Sequence, residues 1–307
     1  MKKLALFIGI LFLFSPVAKA AQIDLSPARV NYVFVEWNAL NPTIWGHQYS
    51  SANIPVNDTF VYEHGGNIQR SDGIMMGALA ETEASISGDT PYVMAHSWSS
   101  DINMRAVAGS ELVYSFSVNS TFDTTVQLFV DSILSGSIGI SDSGQGTSAY
   151  TYVNIIISPY GSTSTGSYSL FHSMQMSISN SLYTQEDQSS LMTSFTPDLH
   201  TGSFLKEYID EITINTNTEY FIYLTAQANG RNFNGFAFAD PYLYLNNDFL
   251  TINGFNPADF TLAFSEGVSN IGPSGPSAVP EPSGFLLMGA GLLGLAAFGR
   301  RGRQSRD

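Results

Sequence analysis

The feature that most constrains this chain is a period of two. Between residues 21 and 271, apolar and polar residues alternate in short runs, as over 112–118, 126–130, 212–214, 220–226, 236–238 and 260–264. Successive side chains of a strand point to opposite faces, so each run buries one face and wets the other. Over 168–178, Leu170, His172, Met174, Met176 and Ile178 share a face, which casts His172 as a hydrogen-bonded core residue rather than a ligand. Residues 215–219 form a short polar connection suited to a hairpin, and the Gly-rich stretches 144–146 and 161–166 read as loops. No long stretch carries a 3.6-residue period. One short helix is expected around 185–193 or within 74–84. Ten or more short strands with polar turns predict an all-β chain, an antiparallel β-sandwich, jelly-roll-like if its sheets are evenly filled. No repeat of fixed period is present, which argues against a propeller or a β-helix.

Charge narrows the partners. Of the 12 Lys and Arg in 307 residues, seven lie at the extreme ends: Lys2, Lys3, Lys19, Arg300, Arg301, Arg303 and Arg306. The middle keeps Arg29, Arg70, Arg105, Lys206 and Arg231 against 24 carboxylates, a net of −19. Such a body repels phosphate backbones and excludes nucleic acid as a partner. Charged residues are only 12% of the chain, so Ser, Thr, Asn and Gly carry the polarity, as suits strands and turns. With no cysteine, disulfides, thiolate metal sites and a Cys nucleophile are excluded. A body of this length buries enough surface to need no staples.

Both ends carry transport features. Lys2 and Lys3 precede an apolar run over 4–14, and Ala18 and Ala20 set small residues at −3 and −1 of a cut after Ala20. Residues 1–20 therefore read as a signal peptide for signal peptidase, the apolar run being too short to span a bilayer. Residues 272–279, rich in Gly, Pro and Ser, read as a linker. Pro280, Glu281 and Pro282 follow, then an uncharged stretch over 284–299, then the arginines Arg300, Arg301 and Arg303. As a transmembrane helix, 284–299 would be ~24 Å long against a ~30 Å hydrocarbon core. It spans with snorkelling arginines or a thinned bilayer, and the positive-inside rule leaves 21–283 outside.

These three parts, in this order, resemble the PEP-CTERM sorting signal of Gram-negative bacteria over 280–307. The resemblance implies an exosortase that recognises the signal in the inner membrane and cleaves near Pro280–Pro282. The protein is then released or re-anchored at the cell surface, typically in organisms that make exopolysaccharide or biofilm. Residues 238–243, 254–260 and 264–268 are also similar to the closing strands of many PEP-CTERM ectodomains, which implies a sandwich ending near Ile271. The expected organisation is a signal peptide (1–20), a β-sandwich ectodomain (21–271), a linker (272–279) and a sorting signal (280–307).

Chemistry is sparser. The patterns Gly-x-Ser-x-Gly and His-Glu-x-x-His are absent, which removes the usual serine esterase and zinc hydrolase contexts. The carboxylate pairs Glu81/Glu83, Glu186/Asp187 and Asp210/Glu211 read as solvated surface charge. Asp240, Asp248 and Asp259, with Asn246 and Asn247, are calcium candidates because loop carboxylates and amides are hard oxygen ligands. Trp37, Trp45 and Tyr49, beside Asn38, Asn41, His47 and Gln48 in an expected loop over 38–53, are candidates for stacking on sugars. The leading expectation is a non-enzymatic surface or matrix protein associated with exopolysaccharide. A carbohydrate-binding module is the alternative, and a secreted hydrolase the third.

Overall fold

The computed structural model describes residues 23–271 except 41–42, 70–72, 141–147, 160–168, 180–181, 188–193 and 197–200. The expected signal peptide, the linker, the sorting tail and the loops at 144–146 and 161–166 lie outside the described residues. So do the side chains over 40–48 and 178–201.

Strands in chain order are β1 (Arg29–Leu40), β2 (Thr43–Pro55), β3 (Thr59–Gln69), β4 (Met75–Ser85), β5 (Tyr92–Ser99), β6 (Met104–Ser120), β7 (Thr125–Ile140) and β8 (Ser148–Ser158). They continue with β9 (Leu170–Ser179), β10 (Leu182–Asp187), β11 (Ser194–Thr196), β12 (Thr201–Asn215), β13 (Tyr220–Arg231), β14 (Phe233–Leu245) and β15 (Phe260–Phe264). One sheet runs β10-β9-β8-β13-β6-β1-β2, with β15 also on β6, and the other runs β11-β12-β7-β14-β5-β4-β3. Every pairing is antiparallel.

The centre of the first sheet is β9-β8-β13-β6 and that of the second is β12-β7-β14-β5. The chain crosses between them in an interleaved order, the double Greek key of a jelly roll. Hairpins β1–β2 and β3–β4 widen the two sheets beyond β6 and β5. Inner faces supply the core: Val126, Leu128, Val130 and Leu134 from β7 meet Val153, Ile155 and Ile157 from β8 and Ile222 and Leu224 from β13, all buried.

Two expectations are corrected. The segment 74–84 is a strand, because β4 turns Met76, Ala78, Ala80, Thr82 and Ala84 inward and fully hides them. Alanine and glutamate favour helix, but the pairing of β4 between β3 and β5 overrides that propensity. Residues 185–187 likewise belong to β10, and 188–193 lie outside the described residues. The stretch 38–53 is a strand hairpin rather than a loop, since β1 and β2 pair from Arg29↔Pro55 to Leu40↔Thr43. β2 stands at the edge of its sheet, where polarity does not forbid a ladder. Among the described residues the short α-helix, α1 (Asn247–Ile252), stands elsewhere.

A third expectation is corrected as well. The 215–219 connection closes no hairpin but carries the chain from β12, paired with β7 in the seven-stranded sheet, to β13, paired with β6 and β8 in the eight-stranded one. A short polar turn serves a crossing between packed sheets as readily as a hairpin. Asn217 takes φ 55° at its tip, a left-handed conformation that asparagine tolerates. Its side chain accepts from Ser120 N at 3.0 Å and donates to Asp123 at 2.9 Å, so this turn is tied to the β6–β7 turn. His172 faces the core, with Nε2 2.8 Å from Asp210 and its ring stacked on Tyr208 at 4.1 Å. Strand β14 loses its β5 neighbour after Ala239. There the Asn270 carboxamide accepts from Leu243 N at 3.0 Å and donates to Leu243 O at 2.7 Å, as a strand partner would.

Candidate functional site

Antiparallel register sets outward residues from distant segments side by side on the eight-stranded sheet. One row reads Tyr32, Glu111, Thr225, Asn154, Ser173 across β1, β6, β13, β8 and β9. The next reads Phe34, Gly109, Gln227, Tyr152, Gln175, and the third Glu36, Val107, Asn229, Tyr150, Ser177. A fourth holds Asn38, Arg105, Arg231 and Ser148. Five strands thus assemble a patch rich in amides and tyrosines from residues spread over 200 positions, Tyr32 to Arg231.

The floor of the patch is short and the surrounding rings are long. Thr225 and Asn154 are buried, Gly109 has no side chain, and Tyr32 is 36% exposed. A Cβ on Gly109 would stand 3.3 Å from Gln227 Cγ, so the Gln227 stem crosses the gap that glycine leaves. Tyr150 and Tyr152, on one face of β8, hold nearly parallel rings, 12° apart with centroids 6.4 Å apart. Asn154 donates to the Tyr152 hydroxyl at 2.6 Å and fixes that ring from its polar end.

Glu111 sits at the centre. It accepts from Asn31 Nδ2 at 2.6 Å and from Thr225 Oγ1 at 3.3 Å. Burial raises its carboxyl above the usual range, although those two bonds and nearby Arg29 pull it back. Burial also raises the Tyr32 hydroxyl, with Glu111 adding to the shift. Tyr150 is pushed up to about 12 by burial, and Tyr152 adds to it. These phenols are neutral donors at ordinary pH, set around one hydrogen-bonded carboxyl. Neutral donors, amides and parallel rings can hold hydroxyl groups and stack on flat apolar faces.

The aromatic residues singled out from the sequence are placed differently. Trp37 turns into the sandwich edge, its ring stacked with His64 at 6.3 Å, and a Cβ on Gly66 would overlap that ring. Tyr49 stacks on Tyr62 at 4.1 Å. Both pack against the core and join β1–β2 to β3. Trp45 pairs with Asn38 in the ladder, and its side chain is outside the described set.

The acids offered for calcium do not assemble. Asp240 is on β14, Asp248 in the first turn of α1, and Asp259 in the short 3₁₀ turn Pro257–Asp259. Asn246 is spent as the cap of α1, its Oδ1 accepting from Phe249 N at 3.1 Å. Among the described residues no three acids or histidines are grouped to hold a metal ion.

The outer face of the seven-stranded sheet is chemically different. Its outward rows carry Glu63, Glu81, Glu83, Asp131, Asp240, Glu207 and Glu211 and no Lys or Arg. Along β14 these acids flank Phe236, Phe238, Tyr242 and Tyr244. Asp240 is pushed up to about 6, first by burial and then by Asp131 and Asp89, against a bond from Thr90. Asp131 is raised by burial and by Glu207.

Sequence reasoning did not single out Tyr150, Tyr152, Tyr32 or Glu111. The alternation Tyr150-Thr151-Tyr152 was the available signal for one ring pair, and nothing linear joins it to Glu111.

Fold and patch define a β-sandwich with one sheet face rich in amides and tyrosines. The chain carries the PEP-CTERM protein-sorting motif, matched over residues 278–303, in agreement with the resemblance of its tail. That motif goes with exosortase processing and is consistent with export to the cell surface. No helix among the described residues is long and apolar enough to cross a membrane, and 284–299 lies outside them. No curated protein sequence matches the chain. Among solved structures, TmCBM61 in complex with β-1,4-galactotriose is similar at 12% identity and a TM-score of 0.21, over 61% of this chain and 88% of that one. A bacterial lipoprotein from Bacteroides thetaiotaomicron is similar at 7% identity and a TM-score of 0.22, over 75% of this chain and 98% of that one. Likenesses this loose carry no argument about fold or ligand.

Proposed function

We propose that this is a non-enzymatic cell-surface protein whose eight-stranded sheet binds a polysaccharide of the surrounding matrix. In this reading the signal peptide is cut after Ala20, the exosortase acts near Pro280–Pro282, and the sandwich is left outside the inner membrane. The sorting motif over 278–303 supports the delivery. The observation that carries the binding is the parallel pair Tyr150 and Tyr152 beside Gln227, Asn154 and Glu111. Sugar rings offer apolar faces to aromatic rings and hydroxyls to amides and carboxyls, and this face supplies both within one patch.

Two measurements test it. Mass spectrometry of the protein from its host should find an N-terminus at Ala21 and a C-terminus near Pro282; an intact arginine tail would refute the delivery. Polysaccharide pull-down with the full chain in mild detergent should show retention that Tyr150→Ala with Tyr152→Ala removes. Absence of retention on a broad panel would end the binding claim.

A further inference from the structure

The five cations of the acidic body are not evenly spread. Arg29, Arg105 and Arg231 all stand at outward positions of the eight-stranded sheet. Arg105 and Arg231 are direct cross-strand partners on β6 and β13. Like charges placed opposite each other in a ladder are unfavourable unless something of opposite sign lies between them. Arg105 Nε donates to Asn229 Oδ1 at 3.3 Å. Among the described residues neither guanidinium forms an ion pair. Glu36, one row along β1 from the pair, accepts from Asn38.

The pair also adjoins the stacking platform. In the row before it, Asn229 pairs with Tyr150, and Arg231 itself pairs with Ser148 two residues along the same strand. A sugar resting on Tyr150 therefore has two guanidinium groups at one end of its reach. Guanidinium recognises planar carboxylates through paired N–H donors, at greater strength than neutral hydrogen bonds.

We propose that the ligand of this face is an anionic polysaccharide bearing sugar carboxylates, whose charge is read by Arg105 and Arg231. The inference rests on the glycan-binding reading above and specifies its ligand class. Net negative charge of the body does not forbid it. The seven carboxylates face outward on the opposite sheet, whose backbone lies about 10 Å beneath, and their field around the molecule through solution is screened over ~8 Å at physiological ionic strength. A carboxylate arriving at the arginine face meets mainly local charge.

The test uses the full chain in mild detergent, with polygalacturonate and the same polymer after carboxyl reduction as probes. The intact protein should hold the charged polymer about tenfold or more tightly than the reduced one, the size of one charge-assisted contact. Arg105→Gln with Arg231→Gln should abolish that preference and keep the weaker binding to the reduced polymer. Arg105→Lys with Arg231→Lys should keep part of it, since charge remains while the paired donors are lost. Raising salt from about 0.05 to about 0.5 M should narrow the preference. Equal binding of both polymers, or a preference that survives the glutamine variant, overturns this inference and leaves a glycan face standing. Binding to neither polymer, nor to any neutral glycan, overturns both.

Discussion

The two outer faces of the sandwich are built by the same alternation and have opposite chemistry. On the eight-stranded sheet, three arginines meet Glu36 and Glu111 around a field of amides. On the seven-stranded sheet, seven carboxylates stand without a Lys or Arg among the outward positions. Both faces carry aromatics. On the acidic face, rings lean on one another across strands, Phe129 on Tyr244 at 5.1 Å and Tyr92 on Phe238 at 5.7 Å, and Tyr242 and Tyr244 stack along β14 at 5.4 Å. On the other face, Tyr150 and Tyr152 lie parallel along one strand. Net charge alone therefore misdescribes what either face meets, because each sheet presents its own balance of charge.

The largest expected effect concerns rings inside against rings outside. Trp37→Ala should cost about 3 kcal/mol of stability, because the indole fills the edge against His64 and Gly66. Urea unfolding measures it, and retention on polysaccharide per folded molecule should not change. A loss of only a few tenths, with retention abolished, would move the binding site to the β1–β2 edge and break the comparison.

Next in size is the contrast between tyrosine pairs. Tyr150→Ala with Tyr152→Ala should weaken polysaccharide retention roughly tenfold or more, about 1.4 kcal/mol. Tyr242→Ala with Tyr244→Ala, on the acidic face, should leave it within twofold by that scale. Equal losses from the two variants would mean that the faces do not divide the work.

A smaller effect is electrostatic. Asp240 has its carboxyl raised from 3.8 to about 6 in the folded protein. The folded state then holds more protons than the unfolded one between those values, so its stability falls as pH rises through that window. Asp240→Asn should remove that slope and stabilise the protein at neutral pH by about 1 kcal/mol. Thermal midpoints of both proteins across the window decide it, and a slope that survives in the variant would assign the titration to another group.

The smallest effect tests the crowding of like charge. Glu63 lies directly opposite Glu81, so Glu63→Lys should stabilise by about 0.5 kcal/mol at low salt and less at high salt. Denaturant midpoints at two salt concentrations measure it.

Much of the sheet framework was legible because each strand declares its own faces. The runs in β7, β9 and β13 announce their buried sides, and His172 takes the core place its neighbours on β9 assign it. Reading failed where local preference and tertiary demand diverge. Alanine and glutamate in β4 look helical until small side chains are needed under a packed sheet. Asn38 and its neighbours look like loop until the ladder with β2 claims them. The candidate patch was nearly illegible, since Tyr32, Glu111, Thr225 and Asn154 meet only through three strand pairings.

By itself the sequence determined the β class, the acidic balance and the sorting tail, because these are properties of composition, of period and of one contiguous motif. Only the tertiary structure decided which acids crowd together, which rings are consumed in packing, and which arginines face each other. Cross-strand neighbours are fixed by register, and register depends on how distant segments jointly bury their apolar faces.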